Sequence, residues 1–542
     1  MCNRKIHPLD CWDHPLVGFP DRACIISPSA AILSRGDTLD TPDFLRLPDG
    51  TYRGAVSDEN ISAIFCGAGD FNRRELRVGS HTLYLYAIDG LTSGGDISEY
   101  VVKPLLQDTA AQSMDLLCDR ALHSTVYNSV AEACEDLNTV ALKLVNGFSV
   151  VLFGNRAVAF EDKTGEKRSP SAPEVENTVK GPKDAFTETV RTNTSLLRRH
   201  LRTPALRLYE TKVGQRSLTN VTLAYIDGLT DPSLVERMKQ RLSEIDVDGL
   251  VTPSSVEEYV TGSRPTAFPL LQYTERTDRF AQALLDGRVG LLVDGLPLGY
   301  LAPVDLGWLM ASPEDRGTDF VSASCLRVLR YLALLVGLFL PGLYVAMAAF
   351  HPEMLPTALL QSIIDSKQSV PFPTIFEVLG LLIAFELLQE ASVALPQSIG
   401  QSLSIIGGLV VGTAAVEASI LSPAALIVVA AAGIAGYALP GRSFADAIRL
   451  WRFLLAVLAS LLGLFGLTLG ALVLLVHLAE QKSLGVPYLA PFSRVSGITS
   501  LLRTRLKNQK YRDAALHPLD ERNQKEGRTT LSARSEGTDS EW

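Results

Sequence analysis

Three stretches of this chain are almost free of formal charge. Tyr331 to Phe350 carries none, Leu403 to Gly441 carries only Glu417, and Phe453 to Ala479 carries none. About 20 consecutive apolar residues cross a bilayer as a helix, and within hydrocarbon every backbone amide must be bonded inside its own segment or barrel. The C-terminal half, 321–492, is therefore predicted to be a polytopic helical membrane domain of about four to six segments. A purely soluble enzyme is excluded.

The polar half constrains partners. The formal charge is −9, from 50 basic and 59 acidic residues, which argues against nucleic acid, since phosphate binding needs a basic surface. Seven cysteines form no CxxC pair and no even framework, so scattered reduced thiols are expected, without metal or cofactor. The N-terminus lacks the apolar core of a secretory signal, so the polar half is expected in the cytoplasm.

That half contains a repeat. HTLYLYAIDGLT (His81 to Thr92) returns as NVTLAYIDGLT (Asn220 to Thr230), and ALKLVNGFSVVLFGNRAV (Ala141 to Val158) is echoed by ALLDGRVGLLVDGLPL (Ala283 to Leu298). Recurrence of two blocks in order points to two duplicated small α/β subdomains, at 55–160 and 205–320. An unpatterned lead (1–54) precedes them, a linker with an amphipathic helix (161–204) joins them, and a basic, then disordered tail (493–542) ends the chain. Each copy should run from a strand through Asp-Gly into a helix. Asp89-Gly90 and Asp227-Gly228 read as turns needing a positive-φ glycine rather than as catalytic aspartates. Asp231 or its neighbour is placed to cap a helix over Pro232 to Ile245, with Pro232 at its first position. Between the copies, Gly181 to Leu201 has a partial apolar stripe and an Arg-rich face, suited to a solvated surface, a neighbouring subunit or a membrane.

In the membrane half, a first span (Leu326 to Phe350) has Pro341 in its middle, which kinks a helix by removing a backbone bond. Phe350 to Pro373 suits a helix lying in the interface. A second span (Ile375 to Leu395) carries Glu377 near its end and Glu386 and Glu390 four apart on one face. Carboxylates at depth cost a few kcal/mol, so Glu386 and Glu390 face a pore, an ion path or a neighbouring subunit, or else lie on a shallow helix exposed at the interface, while Glu377 reads as interfacial. Leu395 to Pro440 divides at Ser422-Pro423 into a third and fourth span. Gly407, Gly408 and Gly412 allow close helix approach, and Glu417, the lone charge, is the best single candidate for a buried functional carboxylate. Trp451 to Ala479 is either one long tilted span or a bent pair. Arginines at 442, 449 and 452 and the basic tail place both flanks in the cytoplasm, which five simple spans would not allow.

The segments GPKDAFTETVRTNTSLLRRHL, VTLAYIDGLTDPSLVERMKQRL, FPLLQYTERTDRFAQALLDGRVGLLVDGLP, LRYLALLVGLFLPGLYVAMAAFHPEMLP and LPQSIGQSLSIIGGLVVGTAAVEASILSPA resemble the GerA family of spore germination proteins, in the family's order over about residues 60 to 495. The resemblance implies a germinant receptor A subunit in the inner spore membrane. Such subunits act as oligomeric nutrient-gated ion channels beside a transporter-like, nutrient-binding B-type subunit and a C-type lipoprotein. A SpoVAF-like branch instead amplifies germination without sensing nutrients. Pore, gating or helix-packing roles fall to Pro341, Glu386, Glu390, Gly407, Gly408, Gly412 and Glu417. A secondary transporter is the alternative, although no inverted repeat is visible in the membrane half. The motifs of common hydrolases, metalloproteases and nucleotide-binding enzymes are absent.

Overall fold

The computed structural model describes Arg46, residues 50–108, 113–163, 173, 176, 178, 180–250, 252–262, 265–394, 412–493, 502–503, 505 and 508–523. Two five-stranded antiparallel sheets make up the polar half. In the first, β1 (Phe71–Val78), β2 (His81–Ile88), β3 (Ala131–Cys134), β4 (Phe148–Phe153) and β5 (Arg156–Glu161) lie in the order β1-β2-β4-β5-β3. In the second, β6 (Leu206–Val213), β7 (Thr219–Ile226), β8 (Gln272–Thr274), β9 (Val289–Val293) and β10 (Gly299–Ala302) follow the order β6-β7-β9-β10-β8. The orders match strand for strand, the tertiary counterpart of the repeated sequence blocks.

Continuous apolar runs form the central strands because both faces of each sheet are covered. Side chains alternate between faces: Val150, Leu152, Ala157 and Ala159 enter one core with helix Leu137–Val145. Val151, Phe153, Val158 and Phe160 enter another, on the opposite face. Gly90 (φ 83°) and Gly228 (φ 72°) end β2 and β7 in a backbone region that disfavours a Cβ. These are the expected turns. Helix Pro232–Ser243 begins as predicted, with the Asp231 carboxylate accepting from Ser233 N–H at 2.9 Å.

The linker helix is shorter than its apolar stripe suggests. It spans Val190–His200, while the preceding segment runs extended: Ala185 bridges to Arg276, and Phe186 packs edge-on against Phe280. Arg199 is exposed and Arg191 partly so, but Arg198 is not solvated. Arg198 is buried and makes a two-pronged ion pair with buried Asp70 of the first unit, at 2.7 and 2.8 Å. Ser195 donates to the Gly90 carbonyl (2.8 Å), and Gly69 N–H to Leu208 O (2.8 Å). The helix joins the two sheets. The end of the N-terminal lead also belongs to the first unit, where Tyr52 and Asn138 exchange hydrogen bonds.

Among the described residues, two helices are long and apolar enough to cross a membrane, Phe320–Ala349 and Arg442–Glu480, with a shorter apolar helix at Pro423–Tyr437. The longer one is a hairpin. Gly463, at φ 61° and ψ −139°, breaks it and lies against Phe350 and His351 at the far end of Phe320–Ala349. Both limbs return to the second unit: Phe444 packs on Phe268 (ring centroids 6.1 Å), and His477 bonds Thr266 (2.9 Å). Of the two readings of this stretch, the bent pair is the one observed. It also places the chain after Glu480 beside the sheets. There Val304 N–H donates to Ser483 Oγ, Leu306 N–H to Tyr488 O, and Leu519 N–H to Leu229 O. Val486 and Ala515 enter the second unit's core, so the described part of the tail is packed structure.

Candidate functional site

The described helix bundle holds one buried charge cluster and one that is partly exposed. The first surrounds Glu377, in the first turn of helix Thr374–Ala394, where a negative charge suits the helix dipole. Its side chain is fully buried. Oε2 accepts from Ser422 N–H at 2.9 Å. Ser422 in turn caps Pro423–Tyr437 through Oγ, so one carboxylate lies between two helix N-termini. The Lys367 ammonium, at the end of helix Thr357–Lys367, is 3.3 Å from Oε1 and donates to Thr374 Oγ1. The Tyr344 hydroxyl, on the first apolar helix, lies beside Ser422 and Glu377.

The second cluster is Glu386 with Arg452 and Arg449. Arg452 is buried and donates to Glu386 Oε1 at 2.6 Å and to the Ala432 carbonyl at 3.5 Å. Arg449 approaches Oε2 at 3.2 Å. A buried cation left without its carboxylate costs about 3–5 kcal/mol, so this cluster holds helices Thr374–Ala394, Pro423–Tyr437 and Arg442–Glu480 in one arrangement.

Small residues set the helix spacing. A Cβ at Gly342 would stand 2.9 Å from Leu467 Cδ1 and 3.3 Å from Leu455 O. That puts the hairpin directly against the turn after buried Pro341, which is the cover a proline break requires. A Cβ at Gly433 would meet the Phe385 ring at 2.6 Å, and one at Gly466 would overlap the Leu458 carbonyl. Gly412 is buried against Leu426 at ordinary van der Waals distance.

A third cluster couples the sheets to the bundle. Asp315, on the short helix Glu314–Gly317, is buried and accepts from Arg330 at 2.7 and 2.9 Å and from Arg327 at 3.3 Å. Both arginines lie in the first turns of Phe320–Ala349. Burial pushes the Asp315 carboxyl up, and the two guanidiniums more than reverse that, holding it below its usual range. Beside it, Arg288 pairs with buried Asp305 at 2.7 Å under the Trp308 ring. An adjoining open cleft of about 780 Å³ has walls of both charge signs, among them Asp278, Arg316, Arg503 and Arg512, which disfavours an apolar ligand.

Of the residues singled out in the sequence, Pro341 and Gly412 lie in packed contacts and Glu386 in an ion cluster. Glu390 is exposed on its helix, and Glu417, expected to be buried, is instead exposed where helix Gly412–Glu417 ends. Gly407 and Gly408 lie outside the described residues. Glu377, read as interfacial, is the most deeply buried of these carboxylates. Arg449 and Arg452, read as orientation signals, are the counter-ions of Glu386; their i, i+3 spacing on one helix face was the available clue. Among the described residues no three His, Cys, Asp or Glu side chains converge as a metal site, and Cys66, Cys118, Cys134 and Cys325 are free thiols.

Comparison with known proteins covers most of the chain. The profile of the family described as Bacillus/Clostridium GerA spore germination protein matches residues 59–515. Spore germination protein KA of Bacillus subtilis is 35% identical over 429 residues, 78% of each chain. Spore germination protein A1 of the same organism is 34% identical over 443 residues, 81% of this chain and 90% of that one. The uncharacterized membrane protein YfkQ of B. subtilis is 36% identical over 80% of this chain and 86% of its own. Among solved structures, the N-terminal domain of the A subunit of the Bacillus megaterium spore germinant receptor GerK3 is 26% identical. It aligns with 46% of this chain and 96% of that one, at a TM-score of 0.36.

Proposed function

Since the chain belongs to the GerA family of spore germination proteins, we propose that it is an A-type membrane subunit of a spore germinant receptor. In this reading it is a multi-pass protein of the inner spore membrane with its two sheets on the cytoplasmic side. Copies assemble into an oligomeric, nutrient-gated ion channel beside a B-type nutrient-binding subunit and a C-type lipoprotein. Spore germination proteins KA and A1 are named as germination proteins rather than enzymes, which favours a non-catalytic role.

The observation that carries the reading is a bundle that is apolar outside yet charged within, clamped at one end to a head. Leu461, Phe465, Leu472 and Leu475 on the hairpin are exposed, as lipid-facing residues are. Buried Arg452, with its partly exposed partners Glu386 and Arg449, gives the bundle polar groups of the kind that ion paths use. A change in the head would reach this interior through Asp315, Arg327 and Arg330. Nutrient opens such a channel only by binding the open assembly more tightly than the closed one. Full-length protein reconstituted in liposomes with its B- and C-type partners is expected to conduct monovalent cations when nutrient is added. Sealed vesicles containing folded, assembled complex overturn the channel reading.

A further inference from the structure

We propose that the foot of helix Phe320–Ala349, with the tail segment folded against it, is a docking strip for anionic phospholipid in the leaflet beside the head. The inference rests on the reading of this helix as a membrane span and is independent of the channel reading. Its 30 residues make a helix about 45 Å long, which matches a hydrocarbon core of about 30 Å together with both headgroup layers. An exposed apolar face, Val321, Val328, Leu332 and Leu335, begins in the first turn. Arg327 and Arg330 turn away from that face to Asp315. The first turns therefore lie at headgroup depth.

The tail brings cations to that depth. Arg503 N–H donates to Ser324 Oγ at 3.1 Å, and its guanidinium donates to the carbonyls of Thr318 and Arg316. Arg505 is exposed and lies over the Phe320 ring, 4.4 Å from its centroid, and Leu502 is exposed beside them. At this junction Arg288, Arg316, Arg327 and Arg330 each face an aspartate. Among the described residues, Arg503 and Arg505 instead contact carbonyls and a ring, which leave both positive charges uncancelled. A guanidinium takes a phosphate as a forked hydrogen-bond partner, and each cation beside an anionic leaflet strengthens the contact about fivefold. The chain as a whole carries −9, which confines the attraction to its basic segments.

The test places full-length protein in phosphatidylcholine nanodiscs with a trace of spin-labelled lipid, either phosphatidylglycerol or phosphatidylcholine, and measures the immobilised fraction of each label. Phosphatidylglycerol should be held about threefold or more over phosphatidylcholine at low salt, and the preference should fall towards unity in about 1 M NaCl. Arg503→Gln/Arg505→Gln should lose most of it, while Arg216→Gln, at an exposed position in the head, should keep it. Equal immobilisation of the two lipids by the wild type, or a preference undiminished in the double variant, overturns the proposal. If the double variant does not fold, Arg505→Gln alone decides, because it leaves the bonds of Arg503 to the helix in place; an undiminished preference there overturns the proposal too. Folded protein that does not enter the discs refutes the membrane span, and the strip with it.

Discussion

Asp315→Asn should separate the head from the helix bundle without removing any atom that packs. The asparagine is isosteric, but it leaves Arg330 and Arg327 facing a neutral amide at a site where the aspartate is 1% exposed. Breaking a buried pair costs about 3–5 kcal/mol. Arg330 and Arg327 keep 13% and 16% of their side chains in contact with solvent, and Arg330 retains the Met310 carbonyl, so about 2–3 kcal/mol is expected. At about 2–4 °C per kcal/mol for a domain of this size, the unfolding midpoint falls by roughly 4–12 °C. The assay is thermal unfolding of the full chain in detergent, in a cycle of Asp315→Asn, Arg330→Met and the double variant. A coupling above about 1 kcal/mol is expected; one below about 0.5 kcal/mol, the additivity seen for independent sites, refutes the clamp. The pH dependence supplies a second reading. The folded carboxyl lies below its unfolded value, so its contribution is present above pH about 4 and is lost as pH falls through the folded value. Asp315→Asn should flatten the acid limb.

Three further outcomes follow from the same geometry. Gly466→Val should prevent the hairpin from closing, because the new Cβ overlaps the Leu458 carbonyl; protease resistance of 442–480 equal to wild type would count against it. Burial pushes the Asp162 carboxyl up to about 6, only partly opposed by its bonds to Ser149 and Asn128. The sign is opposite to that of Asp315: its stabilisation is complete below pH about 4 and fades as pH rises through 6, by up to about 3 kcal/mol. Asp162→Asn should abolish that slope in a pH series of melts. Burial also pushes the Cys134 thiol up to about 12, so native protein should resist alkylation there until denatured, as read by peptide mass analysis.

Much of the architecture is legible in the residues because it rests on local patterns. The repeated LYLYAIDGLT and LAYIDGLT blocks announce two like units, since strand alternation and an Asp-Gly turn are properties of short segments. Val289–Val293 and the start of Pro232–Ser243 fall where apolar runs and a capping aspartate put them. The charge-free runs likewise mark the apolar helices, because lipid and core select for the same residues.

What tertiary structure alone decided is which charges meet. Arg198 reads as a surface residue until Asp70, far away in the chain, is folded against it, and Arg452 reads as a topology signal until Glu386 faces it. The same holds for Glu377: helix position made it look exposed, and only the approach of Ser422, Lys367 and Tyr344 buries it. Gly463 is one more glycine in an apolar run until Phe350 marks the far end of the bundle there. Sequence fixes the periodicity of each segment by its own sterics and hydropathy. Pairing between distant segments depends on the whole packing, because a buried charge is tolerated only where another part of the chain supplies its partner.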